Sequence, residues 1–162
     1  MTSINIDSDG NFSINGSGNI TSKLEGQWFN VNNNSGSDSS ISQSSLNPYI
    51  VHNSSNNSES YRAEVNAYYQ SNVVRDFTLM YNPDFPTIAN QTSFTVNVGV
   101  GGTCNAFYDG GSINFYNAGG GCSNTAFSVI VHHEYGHHLV AVAGSGQGQY
   151  GEGMGDVMGV LI

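Results

Sequence analysis

Apolar and polar residues follow different patterns in the two parts of this chain. Over residues 1–58, short apolar pieces are separated by turn-rich polar stretches, which is typical of short β-strands joined by turns. The pattern therefore predicts a β-rich N-terminal region, arranged as a meander or as hairpins. The apolar pieces are INI, FSI, QWFNV and YIV.

The pattern changes at Glu59, where apolar residues begin to recur at three- and four-residue steps. This spacing predicts an amphipathic helix of about five turns, and the segment NPDFP marks its end. Three strand-like segments follow: TSFTVNVGV, CNAFYD and SINFY, the last two forming a predicted hairpin around DGG. The apolar positions of the helix are Val65, Tyr68, Tyr69, Val73, Phe77 and Met80.

Two more helices are predicted near the end of the sequence. In NTAFSVIVHHEYGHHLVAVAG, apolar residues keep helical spacing through Val142. Asn124 or Thr125 is the predicted N-cap, and Gly144 is the stop signal. The glycine-rich segment GQYGEGMGDVMGVLI is predicted to form the next helix. The order of elements predicts an α+β fold, in which residues 59–162 form a second region after the β-rich one.

The charge balance narrows the classes of partner. The chain has 12 acidic and three basic residues, a formal net charge of -9. Because nucleic acids and anionic membranes are bound by clustered Lys and Arg, neither is an expected partner.

Only 9% of residues are charged, and a surface of Asn, Ser and Gly suits a secreted protein. The N-terminus lacks the features of a signal peptide, so we expect the signal segment to be absent from this chain. The oligomeric state stays open.

The two cysteines bracket the predicted hairpin. Cys104 and Cys122 are separated by seventeen residues, and neither has the close Cys partner that a zinc knuckle needs. An even count in a chain of extracellular character favours a disulfide, which would stabilise the fold by about 3 kcal/mol in the chain-entropy model. The alternative is a pair of unrelated buried thiols.

Four of the five histidines lie within seven residues, in the predicted helix that contains HEYGH. His133 and His137 are four residues apart, so on a helix they lie one above the other on the same face. Two imidazoles in this arrangement reach one Zn²⁺ ion, while Glu134 stays just outside the ligands and accepts a proton from the activated water. His132 and His138 do not share that face and are interpreted as flanking groups. The alternative is a coincidental match on a buried helix.

A second segment makes the zinc interpretation more specific. Glu152 follows His137 after fourteen intervening residues, and Asp156 lies one turn beyond Glu152. A catalytic zinc site needs three protein ligands and an open position, and Glu152 supplies the third ligand. Asp156 is placed to accept the outer N–H of a ligand histidine, which would fix the tautomer of that ring.

The motifs HEYGH and GEGMGD together resemble the gluzincin clan of zinc metallopeptidases, and within it the fungalysin-like and thermolysin-like proteins. Upstream, EVNAYYQSNVVRDF resembles the long helix of those enzymes, and CNAFYDGGSINFYNAGGGC resembles their edge-strand segment. The resemblance covers residues 59–162. It implies a zincin-like upper catalytic subdomain and a zinc-dependent endopeptidase that acts on a peptide or protein.

The resemblance also assigns roles to the matching positions. It implies that His133, His137 and Glu152 are the zinc ligands. It implies further that Glu134 is the general base and that Asp156 supports a ligand histidine.

In the edge-strand segment, the resemblance implies that Asn105 and the backbone of Ala106 hold an extended peptide. Strand addition at a sheet edge is also reasonable on physical grounds. The alternative for Asn105 is a structural role at a turn or strand end.

The chain departs from the family pattern around the predicted cleft. The loop between His137 and Glu152 is shorter than these families carry, so one wall of the cleft is expected to be abbreviated. The chain ends about three turns into the helix bearing Glu152, whereas the family has a downstream, mostly helical subdomain that supplies the oxyanion donor. No residue here matches that donor, for which Tyr135 and Tyr150 are candidate substitutes. We therefore expect an upper subdomain that is truncated or minimal.

Calcium is a possible second cofactor, but the sequence does not support a calcium site. Thermolysin-like enzymes place an acidic calcium ligand one turn before the first zinc histidine, and Val129 occupies that position here. The segment DSDGN at residues 7–11 lacks the full ligand ladder and the distal Glu of a calcium loop, so a type I′ turn is the preferred interpretation.

Two other functions are compatible with the sequence. One is a zinc-binding but catalytically incomplete module that only binds peptides. The other is an extracellular adhesion or scaffold domain in which the histidine cluster is incidental.

Overall fold

The computed structural model describes residues 7, 11–16, 18–44, 47–52 and 58–162. Helices and strands are mixed within these residues, as the α+β prediction requires, and the strands form two small sheets. In chain order the elements are β1 (Asn19–Lys23), β2 (Phe29–Asn33), β3 (Ser40–Ser44), α1 (Glu59–Tyr81), β4 (Phe94–Val100), β5 (Ala106–Tyr108), β6 (Ser112–Tyr116), α2 (Ser128–Val142) and α3 (Gly148–Leu161).

The N-terminal strands do not form the predicted meander. Strands β1 and β3 pair with each other in antiparallel fashion, whereas β2 runs parallel to β4 in a four-stranded sheet of order β2-β4-β6-β5. The reason is visible in β2, where Phe29 and Val31 are both buried in the core. The predicted pieces FSI and YIV are not strands, and INI lies outside the described residues. Most of the predicted turn in DSDGN also lies outside them.

The core lies between one face of the four-stranded sheet and the helices α1 and α2. The rings of Phe29, Phe94 and Tyr135 meet edge to face, with centroids 5.7–6.1 Å apart. The opposite face of the sheet is polar, because alternate residues of the strands point away from the core. There, Asn32 donates a hydrogen bond to Asn97 across the parallel strands at 3.1 Å. This alternation fixes which face of the sheet the helices cover.

Helix α1 confirms the predicted helix after Glu59, and the side chain of Ser58 caps it by accepting a hydrogen bond from the Tyr61 N–H. The predicted apolar face is only partly correct, because Tyr69 and Met80 are 63% and 65% exposed. Small residues instead bring the helix close to the sheet. The buried positions of α1 are Ala63, Glu64, Ala67, Ser71, Val74, Arg75 and Thr78.

The predicted disulfide and hairpin are both present. Cys104 and Cys122 are bonded, which ties the residues before β5 to the segment that leads into α2. The β5–β6 turn is held by Asp109, whose carboxylate accepts hydrogen bonds from the Gly111 and Ser112 N–H groups. Strand β5 is consequently held at the edge of the sheet. No helix among the described residues combines the length and apolar content that a membrane span requires.

Candidate metal centre

Helix α2 begins later than the sequence predicts. Its N-cap is Phe127, which makes no side-chain capping bond, so the prediction of Asn124 or Thr125 is wrong. Both polar side chains are used elsewhere: the Asn124 side chain accepts from the Ala126 N–H, and the Thr125 hydroxyl accepts from the Tyr116 N–H. These bonds shape the turn before the helix instead of capping it.

The predicted end of α2 is confirmed. Gly144 has a positive φ of 74°, a conformation that favours glycine. The N–H groups of Gly144 and Ser145 donate to the carbonyl groups of Ala141 and Val140, which satisfies the last turn in a Schellman arrangement. The chain therefore reverses at once and returns along α2 as α3.

Glycines set the distance between α2 and α3. A Cβ atom added to Gly136 would lie 2.8 Å from the Cα atom of Gly155, so the two helices cross in backbone contact. One turn further along α3, a Cβ atom added to Gly159 would lie 2.9 Å from the Val129 carbonyl oxygen. This close crossing explains the glycines at positions 155 and 159 of α3. It also brings the acidic residues of α3 within reach of the histidines of α2.

The three predicted ligands meet where the helices cross. The Nε2 atoms of His133 and His137 are 3.2 Å apart. The two carboxylate oxygens of Glu152 lie 3.4 Å from Nε2 of His133 and 3.7 Å from Nε2 of His137. Sequence-distant side chains thus place their ligand atoms within 4.8 Å of one another, and these three residues can hold a metal ion.

Each ligand histidine has a hydrogen-bond partner at its outer nitrogen. Nδ1 of His133 lies 3.1 Å from Oδ1 of Asp156, an acceptor, so Nδ1 carries the proton. Nδ1 of His137 lies 2.9 Å from Oε1 of Gln147. The orientation of that amide is fixed, because its Nε2 donates to the His137 carbonyl oxygen at 3.0 Å. In neutral rings both inner Nε2 atoms therefore present lone pairs to each other and to Glu152, an arrangement that suits a cation.

Gln147 is a residue of the site that the sequence analysis missed. It is the N-cap residue of α3 and belongs to neither motif. Only its placement beside His137, ten residues earlier in the chain, reveals the contact. Asp156, by contrast, lies one helical turn after Glu152, as the spacing in the sequence predicts.

The carboxyl group of Glu134 lies beside the ligand histidines. Glu134 is 6% exposed, and this burial raises the pKa of its carboxyl group. The charge of Glu152 raises the pKa further, whereas nearby His133 and His137 and a hydrogen bond from the Tyr108 N–H oppose the shift. Because Tyr108 belongs to β5, the carboxylate lies between the histidines and the edge of the sheet.

The two remaining histidines of α2 are buried away from the ligand face. Nε2 of His132 lies 2.9 Å from Oε1 of Gln70 on α1, and burial lowers the pKa of His132. Nδ1 of His138 lies 3.2 Å from the Tyr108 hydroxyl, and burial lowers the pKa of His138 to about 4. Both rings are therefore neutral near pH 7, and they join α2 to α1 and to β5.

The remaining predicted site residues are the two substrate-binding candidates and the two candidate oxyanion donors. Asn105 is exposed, and its backbone oxygen accepts a hydrogen bond from the Thr125 hydroxyl. Ala106 begins β5, which pairs with β6 at the edge of the sheet. Tyr135 is fully buried and donates to the Gln91 side chain at 2.7 Å, so it is not available as an oxyanion donor. Tyr150 is 58% exposed on the first turn of α3.

Gly155→Ala is expected to weaken metal binding and to lower the free energy of unfolding by about 1–3 kcal/mol, as overpacking does. The added Cβ would lie 2.8 Å from Cε1 of His133 and would push α3 away from α2. Gly153→Ala is the matched control, because its Cβ would meet no atom within 4 Å. The control should gain up to about 1 kcal/mol from helix propensity. Urea unfolding and metal analysis test both variants. Equal free energies of unfolding and equal metal content in the two variants would contradict the close contact between α2 and α3 at Gly155.

Comparison with known proteins finds no family model that matches the chain and no curated protein that matches its sequence. The assignment of a metal centre therefore depends on the side-chain geometry described above.

Proposed function

We propose that this protein is a zinc-dependent endopeptidase of the gluzincin type. The observation that carries the proposal is the convergence of the ligand atoms of His133, His137 and Glu152 beside the buried carboxyl group of Glu134. A ligand set and an adjacent base are the two parts that metal-assisted peptide hydrolysis needs. The resemblance of HEYGH and GEGMGD to gluzincin motifs supports the same function.

The donor set favours zinc among the common metal ions. Two imidazoles and one carboxylate are a known catalytic zinc set, whereas calcium and magnesium prefer oxygen ligands. Ligands about 2.0–2.1 Å from a tetrahedral ion lie roughly 3.3 Å from one another. The two Nε2 atoms are 3.2 Å apart. One Glu152 oxygen lies 3.4 Å from Nε2 of His133 and the other lies 3.7 Å from Nε2 of His137, so these separations are close to those around a zinc ion.

The mechanism gives Glu134 both proton transfers. When bound, Zn²⁺ supplies Lewis acidity that polarises a carbonyl group and makes water more acidic. Glu134 accepts the proton of the attacking water and then delivers it to the leaving amine. The raised pKa of its carboxyl group suits this role, because a base is most effective when its pKa is near the working pH.

The substrate is an extended peptide that adds to the β5 edge. Ala106 and the N-terminal end of β5 offer backbone groups at a sheet edge, and Asn105 lies exposed beside them. Residues 76–162, which include β5, α2 and α3, contain no Lys or Arg. A peptide C-terminal carboxylate would thus find no basic partner on these elements, which favours cleavage within a chain over cleavage at its C-terminus.

The protein is proposed to act outside the cell. Disulfides persist in oxidising compartments and are rare in the cytosol, so the Cys104–Cys122 bond supports secretion. The scarcity of charged residues agrees with that location, since Asn, Ser and Gly supply the polar surface.

Hydrolysis of casein by the purified chain tests the proposal. We expect one Zn²⁺ per chain by metal analysis, turnover that a chelator abolishes, and recovery of turnover when Zn²⁺ is added back. Stoichiometric zinc without turnover would contradict the endopeptidase and is the result expected of a catalytically incomplete module that only binds peptides. A chain that binds no zinc would contradict the proposal, and it is the result expected of an adhesion or scaffold domain with an incidental histidine cluster.

A further inference from the structure

We infer that Gln147 is a positioning residue that holds His137 in the orientation and tautomer required of a metal ligand. This inference rests on the proposed function, since it concerns one ligand of the proposed zinc ion. Gln147 contacts His137 twice: its Oε1 lies 2.9 Å from Nδ1 of the ring, and its Nε2 donates to the His137 carbonyl oxygen at 3.0 Å. The side-chain amide thus contacts both the ring and the backbone of His137.

The hydrogen bond from Gln147 to the His137 backbone determines which atom of the amide faces the His137 ring. A carbonyl oxygen only accepts hydrogen bonds, so the amide nitrogen of Gln147 must face the backbone and the amide oxygen must face the ring. The contact between the amide oxygen and the ring then requires a proton on Nδ1 of His137. In a neutral ring, this leaves Nε2 with its lone pair toward His133 and Glu152. Ligand histidines depend on such outer partners for the correct tautomer.

A glycine next to this contact leaves room for it. A Cβ atom added to Gly151 would lie 2.5 Å from Oε1 of Gln147 and 3.2 Å from Nδ1 of His137. Any other residue at position 151 would therefore displace the amide oxygen from the ring. Asp156 serves His133 in the same way at 3.1 Å, so each ligand histidine has its own outer partner on or at the start of α3.

The contact is not needed to cap α3. Although Gln147 occupies the N-cap position, its side chain makes no capping hydrogen bond to the helix. Loss of the side chain should therefore leave the helix-capping bonds of α3 as they are. The side chain is left with one evident task, which is to hold His137.

The test is the affinity for Zn²⁺ of the full chain, measured by competition with a chromophoric chelator. Gln147→Ala should bind Zn²⁺ about 10- to 100-fold more weakly than wild type, the usual cost of losing an outer partner. Gln147→Glu keeps an acceptor for Nδ1 and should restore most of the affinity. Gln149→Ala changes an exposed glutamine two residues away and should bind Zn²⁺ as wild type does.

A second measurement separates this inference from the proposed function. Long-range ¹H–¹⁵N spectra of the metal-free chain report which nitrogen of His137 carries the proton. We expect the proton on Nδ1 in wild type and Gln147→Glu, and a shift toward Nε2 in Gln147→Ala. Should wild type bind no Zn²⁺, the proposed function fails, while the His137 tautomer still decides the role of Gln147. Wild-type affinity or an unchanged tautomer in Gln147→Ala would overturn the inference.

Discussion

Glu152→Ala is expected to abolish stoichiometric Zn²⁺ binding, with an affinity loss greater than the roughly 100-fold that outer partners account for. Glu152 is the ligand that comes from α3, and its two oxygens face the two histidine Nε2 atoms at 3.4 and 3.7 Å. Without this carboxylate, His133 and His137 are the two members that are left of the ligand set found among the described residues. Metal analysis after gel filtration, followed by competition titration, measures the loss.

A matched control removes the same charge away from the site. Glu25 is an exposed carboxylate that pairs with Lys23 at 3.2 Å, so Glu25→Ala changes the net charge as Glu152→Ala does. The control should keep one Zn²⁺ per chain. Full zinc content in Glu152→Ala would show that Glu152 is not a ligand.

The same variant is expected to loosen α3. The buried residues of α3 are Gly151, Gly155 and Met158, so Met158 is the one large apolar side chain of this helix that is buried. A metal ion that joins the two helices would therefore contribute much of the energy that keeps α3 in place. Amide hydrogen exchange in α3 should be faster in Glu152→Ala than in zinc-loaded wild type, and should match that of chelator-treated wild type.

The residues that meet at the site could be predicted because their spacing follows the helical period. His133 and His137 share a face whenever four residues span one turn, and Asp156 follows Glu152 by the same rule. The convergence of the two segments was inferred from the chemistry of zinc, which needs a third ligand. Helical periodicity is a local property, and ligand number is a chemical property of the metal. Both can therefore be applied to a single sequence without knowledge of its tertiary contacts.

The features that the sequence did not reveal depend on tertiary contacts. Strands β1 and β3 have one apolar residue each, Ile20 and Ile41, and pair through polar contacts such as the 2.8 Å hydrogen bond between Thr21 and Ser42. Their alternation is therefore too weak to recognise. The prediction of Thr125 as the N-cap of α2 is wrong for a related reason, since the Thr125 hydroxyl bonds to the sheet.

Glu134→Gln is expected to keep one Zn²⁺ per chain and to lose peptide hydrolysis by a factor of about 10² to 10⁴, the usual contribution of a general base. The amide is nearly the same size as the carboxyl group, but it cannot accept the proton of the attacking water. It also cannot deliver that proton to the leaving amine. Hydrolysis of casein at equal zinc content measures the loss.

The comparison of Glu134→Gln with Glu152→Gln separates the base from the ligand, because both are carboxylates beside the same two histidines. Glu134 is buried and adjoins His133 on α2, whereas Glu152 is exposed and reaches the histidine Nε2 atoms from α3. Zinc should therefore be retained in Glu134→Gln and weakened in Glu152→Gln. If zinc is lost from Glu134→Gln and retained in Glu152→Gln, the two roles are reversed. Because metal content is measured directly, this comparison holds at any level of activity.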